Sequence, residues 1–339
     1  MSLLGVYRSG AAEGAAVLEA DGLPPFLIEL PSGRVHGIGK SLTLGHLLGQ
    51  KHVDGSLAVD AKGFSWKGTQ YKRVRLRQHE ARLGPIAATL SMPTGRGPFP
   101  AVAMVHGSGP KTRDEFDIFS AYLELQGVAV LAADKRGVGE SGGVYPGEQA
   151  SASTIKVLAR DAQTEVGFLA HLPGIDPKRI GLFGDSQAGW IIPLAARRDP
   201  AVRWALLNSG PTTTVGETDL WGQLAGESLS PPSGTFQQML AQVEAAGPSG
   251  FDPVPDLRRL TIPLHWMFGS DDRNIPTPLC LKRLQPLATD HDYSWDVFPT
   301  THTPLILPSG LLSSLPRSPG LEPGFLPAIS VWLRREAIL

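Results

Sequence analysis

Residues Gly181–Trp190 read GLFGDSQAGW. An apolar run opening at Ile180 reaches a glycine at position 184, a serine follows two residues later, and the helical-looking run AGWIIPLAARR begins directly after it. A short buried strand that turns sharply into a helix around a serine is the local pattern of a nucleophile on a strained turn. Small residues two positions before and after it let strand and helix approach. Gly184 and Ala188 hold those positions, alanine standing where a second glycine is usual. A serine at a helix start is equally suited to capping the first turn. The stretch alone leaves both roles open.

Outward from it, short apolar strands alternate with amphipathic helices: AVAMVHG, DEFDIFSAYLELQ, GVAVLAAD, IKVLARDAQTEVGFLAHL, RIGLFG, AGWIIPLAARR and WALLNSG. This alternation predicts an α/β fold with a mostly parallel central sheet covered by helices on both faces. YKRVRLRQ and GPIAATLSMP form an expected first hairpin of that domain, which spans residues 71–339. After Gly210 the pattern lapses. Residues 211–257, rich in Thr, Ser, Gly and Pro around FQQMLAQVEAAG, are expected to be a cap insertion of two small helices. The alternation resumes with PLHWMFG, a helix near LCLKRLQPL, the strand YSWDVFP and a last helix in FLPAISVWLRREAI. Residues 1–70 have a different texture, alternating short runs broken by turn residues. They read as a small antiparallel β module, with Pro31-Ser32-Gly33 as a hairpin turn. SLTLGHLLGQ fits a short helix or a strand equally.

In a parallel sheet of this kind ligands bind beyond the carboxyl ends of the strands, so the chemistry is sought there. Ser186 follows RIGLFG. Ser108, in HGSGP after AVAMV, lies on a glycine-rich turn able to aim backbone N–H groups into a site. With Gln187, the residue after the serine, it supplies two candidate oxyanion donors. Asp271 and Asp272 follow PLHWMFG, and either could orient a histidine or cap the helix near Pro276. His302 follows YSWDVFP, where a general base must lie. His265 lies within a strand, His291 precedes one, and His106 reads as a hydrogen-bonded structural residue. Serine, acid and histidine thus occur in one chain order, each just past a strand.

Bulk composition excludes several classes. The chain has 339 residues with 31 Lys+Arg against 32 Asp+Glu, a balance that offers no electrostatic footprint for nucleic acid. Its single cysteine permits no internal disulfide or thiolate cluster. No window approaches the about 18 uncharged apolar residues of a membrane span, and the first residues lack the basic-then-apolar pattern of a secretory leader. A cytoplasmic location is expected, with no metal or organic cofactor.

From about Tyr71 onward the chain resembles the α/β-hydrolase superfamily. More narrowly it looks like bacterial serine esterases similar to prolyl-oligopeptidase-type and dienelactone-hydrolase-like enzymes. The matching stretches are VHGSGPKTRDEF, LAADKRGVGESGG, IDPKRIGLFGDSQAGW, FGSDDRNIP and FPTTH. The resemblance places the catalytic acid three residues after Gly269, which selects Asp272. It also implies that Asp134 and Arg136 organise a loop beside the site. The expected activity is serine carboxylesterase hydrolysis of short-chain acyl esters through Ser186, Asp272 and His302 and a covalent acyl-enzyme. Gly107, Trp190, Trp221, Phe236, Met239 and Leu240 are candidate pocket residues, although apolar cap residues more often pack the cap onto its support. The alternatives are an acyl-peptide or aminopeptidase-type serine peptidase, a thioesterase, and a non-catalytic ligand-binding protein on the same fold. The β module or the cap is a candidate surface for homo-oligomer formation.

Overall fold

The structure, a computed structural model, describes residues 4–10, 13–18, 25–39, 43–45, 53–226, 231–306 and 320–339. Most of SLTLGHLLGQ lies outside the described residues, and only Thr43–Gly45 is seen, as a strand.

The N-terminal sheet is formed by β1 (Gly5–Arg8), β2 (Gly14–Leu18), β3 (Phe26–Leu30), β4 (Val35–Ile38), β5 (Thr43–Gly45), β6 (Val53–Ser56), β7 (Ala58–Asp60), β8 (Gly63–Trp66) and β9 (Thr69–Arg73). Its pairings are antiparallel. Period-two alternation divides its faces. Val6, Ala16 and Ile28 point toward the second domain, while Tyr7, Ala15, Val17 and Leu27 form a separate core with Phe64 and Trp66.

YKRVRLRQ is not one strand. Tyr71–Arg73 end β9 of the N-terminal sheet, and Leu76 opens β10 (Leu76–Leu83) of the second. Alternation continues across the junction without a turn residue, so nothing in the sequence marks the change of sheet. The crossing is pinned where the Val74 amide donates to the Val6 carbonyl at 2.8 Å.

The second sheet has eight strands in the order β10-β11-β13-β12-β14-β15-β16-β17. The strands after β10 are β11 (Ile86–Pro93), β12 (Phe99–Val105), β13 (Ala129–Ala133), β14 (Ile175–Asp185), β15 (Trp204–Asn208), β16 (Leu264–Gly269) and β17 (Tyr293–Phe298). β10, β11 and β13 pair antiparallel, and every other pairing is parallel. Parallel neighbours require crossovers, supplied by α1 (Asp117–Leu125), α2 (Ala152–Ala170), α3 (Ala188–Arg198) and, after the cap, α7 (Thr277–Leu287). One face buries Ile155 and Val166 of α2 and Ile191 of α3. The other buries Tyr122 and Leu125 of α1 with Phe325 and Trp332 of α8 (Phe325–Arg335), and the inward face of the N-terminal sheet joins that core.

Among its described residues the cap between β15 and β16 holds three helices rather than two: α4 (Val215–Ala225), α5 (Phe236–Ala246) and the single turn α6 (Val254–Leu257). Capping boxes start the first two, Thr214 with Glu217 and Thr235 with Gln238, each closing two otherwise orphaned N–H groups. Among the described residues no helix is long and apolar enough to cross a membrane.

Candidate active site

β12 and β14 are neighbours, but the chain leaves β12 for β13 on one flank and β14 for β15 on the other. Their outgoing loops therefore diverge and open a crevice at the strand ends. Ser108, Ser186 and Gln187 line a cleft of about 850 Å³ there, walled by the cap and by Asn274 and Ile275 of the loop after β16.

Ser186 stands at φ 50°, a left-handed conformation that a side chain adopts only under constraint. Its amide donates to the Asn208 carbonyl at 2.9 Å, and its carbonyl accepts from the Gly189 amide at 2.9 Å. A capping serine would be extended, whereas the residue preceding α3 is Gln187, whose side chain makes no capping bond. The geometry is that of a strand-to-helix elbow.

Asp272 is 3% exposed while Asp271 is exposed, so burial separates the two candidate acids. One Asp272 carboxylate oxygen accepts the backbone amides of Asn274 and Ile275 at 2.8 and 3.0 Å. The other lies 2.8 Å from His302 Nδ1. The turn-capping role and the histidine-orienting role are thus filled by one side chain. With Nδ1–H donated to the carboxylate, Nε2 is the basic nitrogen of the ring. The two loops are joined along their backbones as well. Ser270 and Asp271 amides donate to the Phe298 and Thr300 carbonyls, and a Cβ at Gly269 would stand 2.0 Å from the Thr301 carbonyl. Only glycine lets the loop that bears His302 lie this close.

The surrounding polar residues hold loops in place. His106 is buried, with Nε2 2.7 Å from the Ala133 carbonyl, and burial depresses its pKa to about 4. Asp134 receives two bonds from the Arg113 guanidinium, and Arg136 pairs with Asp161 of α2. Gly107 donates its amide to Asp185 Oδ1 at 2.9 Å, so it closes the loop rather than facing the cleft.

Of the apolar pocket candidates, Trp190 lines the cleft, its indole N–H tied to the Thr213 carbonyl at 2.8 Å. Trp221, Phe236, Met239 and Leu240 do not. Trp221 and Met239 form a cluster with Val243 and Leu279, Leu240 packs against it, and the Phe236 ring stands edge-on to Trp221 at 5.2 Å. Two short amphipathic helices must bury their apolar stripes against each other and their support, and these residues are consumed in doing so. The Trp221 indole also donates to the Asp272 carbonyl at 3.1 Å, tying the cap to the acid loop. The sequence reading passed over Lys135, which is 6% exposed and contacts both the Ser108 loop and Gln187.

Comparison with known proteins bears on this geometry. Residues 56–204 match the family model "Esterase FrsA-like". Esterase FrsA of Escherichia fergusonii is 29% identical over 154 residues, 42% of this chain and 34% of that protein. A multifunctional-autoprocessing repeats-in-toxin protein of Vibrio cholerae is 30% identical over 167 residues, 49% of this chain and 3% of that protein. The chain therefore spans only a small part of the curated relatives it matches. Among solved structures, the Pyrococcus furiosus esterase Pf2001 superposes with a TM-score of 0.53 at 14% identity, over 77% of this chain and 90% of that one. The Pyrococcus horikoshii acylaminoacyl peptidase superposes with a TM-score of 0.53 at 14% identity, over 95% of this chain and 54% of that one. With this strand order, the elbow at Ser186 and these likenesses on one chain, the protein has the α/β-hydrolase fold.

Proposed function

We propose that the protein is a serine carboxylesterase acting on short-chain acyl esters. The observation that carries the reading is Ser186 at positive φ on the elbow after β14, lining a cleft that Asn274 and Ile275 of the Asp272 loop also line, with Asp272 paired to His302. The step supplied by the proposal is proton transfer between Ser186 Oγ and His302 Nε2. Ser186 attacks the ester carbonyl as His302 takes its proton, and Asp272 stabilises the imidazolium. The tetrahedral oxyanion accepts from the Ser108 and Gln187 amides. His302 then protonates the departing alcohol and activates water, which releases the acid and restores Ser186.

The cleft lining supports an uncharged substrate. It includes Glu148, Asp219 and Asp252 and, among the described residues, no basic side chain, so phosphate-bearing acyl carriers would meet like charge. The likeness of residues 56–204 to the FrsA-like esterase model supports ester substrates over amides in this reading. The test is hydrolysis of p-nitrophenyl esters from acetate to laurate by wild type and Ser186→Ala. Turnover of the short esters that disappears in the variant supports the proposal. An inert wild type, or a variant that keeps its rate, overturns it.

A further inference from the structure

Lys135 follows β13, on the flank of the crevice, in a polar loop where a lysine would ordinarily point to water. It is instead buried. Its ammonium donates to the Gly107 carbonyl at 2.6 Å, the Gly109 carbonyl at 3.2 Å and Gln187 Oε1 at 3.1 Å, and it stands 5.8 Å from the Tyr145 ring centroid. Three N–H donors meet three acceptors, and all three acceptors belong to the two segments assigned to the oxyanion.

The Gly107 carbonyl and the Ser108 N–H belong to one peptide unit. Among the described residues the cis peptides are Leu30-Pro31 and Gly97-Pro98, so this unit is trans and its C=O and N–H point in opposite directions. Fixing the carbonyl on Lys135 fixes the heading of the Ser108 N–H. The Gly107 amide is held in turn by Asp185, the residue before the nucleophile. On the other side, an ammonium has no acceptor, so the carboxamide oxygen of Gln187 must face Lys135 and its nitrogen must face away. One cation thereby spans both halves of the site.

We propose that Lys135 is a positioning residue for the oxyanion hole, holding the Gly107–Ser108 peptide and Gln187 in the geometry that receives developing negative charge. The proposal rests on the esterase reading of Ser186. It also predicts a dependence on the charge of Lys135, because a neutral amine has two N–H donors for three acceptors. Burial lowers the lysine pKa to about 8. Asp185 from the end of β14 and Glu148 from the loop before α2 oppose that shift, Lys111 from the loop after β12 reinforces it, and Tyr145 faces the ammonium with its ring.

The experiment compares wild type, Lys135→Met and Ser186→Ala with p-nitrophenyl acetate across pH 6 to 10, and measures inhibition by an alkyl trifluoromethyl ketone. Its adduct with a serine places an oxyanion in the hole. Lys135→Met is expected to lower kcat by roughly 10- to 100-fold at neutral pH and to weaken ketone inhibition by a similar factor. KM should stay within about threefold, and the fall in wild-type kcat near pH 8 should be absent from the variant. A merely structural role would leave ketone affinity and the alkaline limb unchanged, and that result in a folded variant overturns the proposal. If Lys135→Met does not fold, Lys135→Gln takes its place under the same criteria. A Ser186→Ala enzyme with full activity sinks the site reading instead, so the two failures are distinguishable.

Discussion

Gly184 and Ala188 face each other across the elbow, and a Cβ on Gly184 would stand 2.4 Å from the Ala188 Cβ and 2.7 Å from the Val105 carbonyl. The clearance between strand and helix is a shared quantity: alanine at 188 has used the room, and glycine at 184 is therefore obligatory. Gly184→Ala should lose both Ser186 reactivity and stability, by more than about 2 kcal/mol, since overpacking adds to a strained turn. Ala188→Gly should keep full activity and cost about 0.5–1 kcal/mol as a helix glycine. Thermal unfolding alongside ester hydrolysis separates the two. An active, stable Gly184→Ala enzyme would contradict this account of the elbow.

The double role of Asp272 makes a selective substitution available. Asn at 272 retains a carbonyl oxygen for the Asn274 and Ile275 amides but loses the charge that stabilises protonated His302. Asp272→Asn should therefore fold normally while kcat drops by a factor on the order of 10⁴. Asp271→Asn, at an exposed neighbour, should change stability by less than about 0.5 kcal/mol and leave kcat near wild type. Equal losses in the two variants would show that the wrong carboxylate has been assigned.

These contrasts mark what the sequence could carry. Ser186, Asp272 and His302 could be singled out because each follows a strand, and adjacent parallel strands bring the Asp272 and His302 loops together. The boundary inside YKRVRLRQ was hidden because a strand's alternation does not record which sheet it joins. Trp221 and Met239 were misplaced because helical periodicity identifies a buried face without saying whether a neighbour or a ligand covers it. Lys135 left no signal at all. Its burial comes from the convergence of Gly107, Gly109 and Gln187, each at least 26 residues from it in the chain.

The cap is anchored to the domain by a pair with unequal exposure. Arg283 of α7 places one guanidinium nitrogen 2.7 and 2.6 Å from the two Glu217 oxygens, and Glu217 also accepts from the Thr214 amide and hydroxyl that start α4. Glu217 is the buried partner, with its side chain 7% exposed against 23% for Arg283. Removing the arginine strands a buried carboxylate, at a cost of about 2–3 kcal/mol after allowance for solvent at Arg283. Glu217→Gln leaves the arginine able to reach water and should cost only about 1 kcal/mol. Urea unfolding of Arg283→Met and Glu217→Gln gives the order directly. Because α4 walls the cleft, Arg283→Met should also raise KM for short esters more than it lowers kcat.

Glu124 of α1 faces the space between the two sheets, where burial, opposed by a Ser91 hydrogen bond and reinforced by Asp117, raises its pKa from 4.5 to about 7. The folded protein therefore holds this proton more tightly than the unfolded chain. Between pH 4.5 and about 7 the native state binds more protons, so the Glu124 contribution to stability falls as pH rises. Below that window the group is neutral in both states and costs nothing. Above it the folded protein carries a poorly solvated charge. Asp117, itself raised to about 6 by burial and by Asp114, adds to the same trend. Glu124→Gln should match wild type at pH 4 and exceed it at pH 8 by on the order of 2 kcal/mol. Glu115→Gln, at an exposed site paired with Lys111, should show no such divergence. Parallel stability curves for wild type and Glu124→Gln across this range would mean that Glu124 is ionised at no cost, and the space between the sheets would then have to be well solvated.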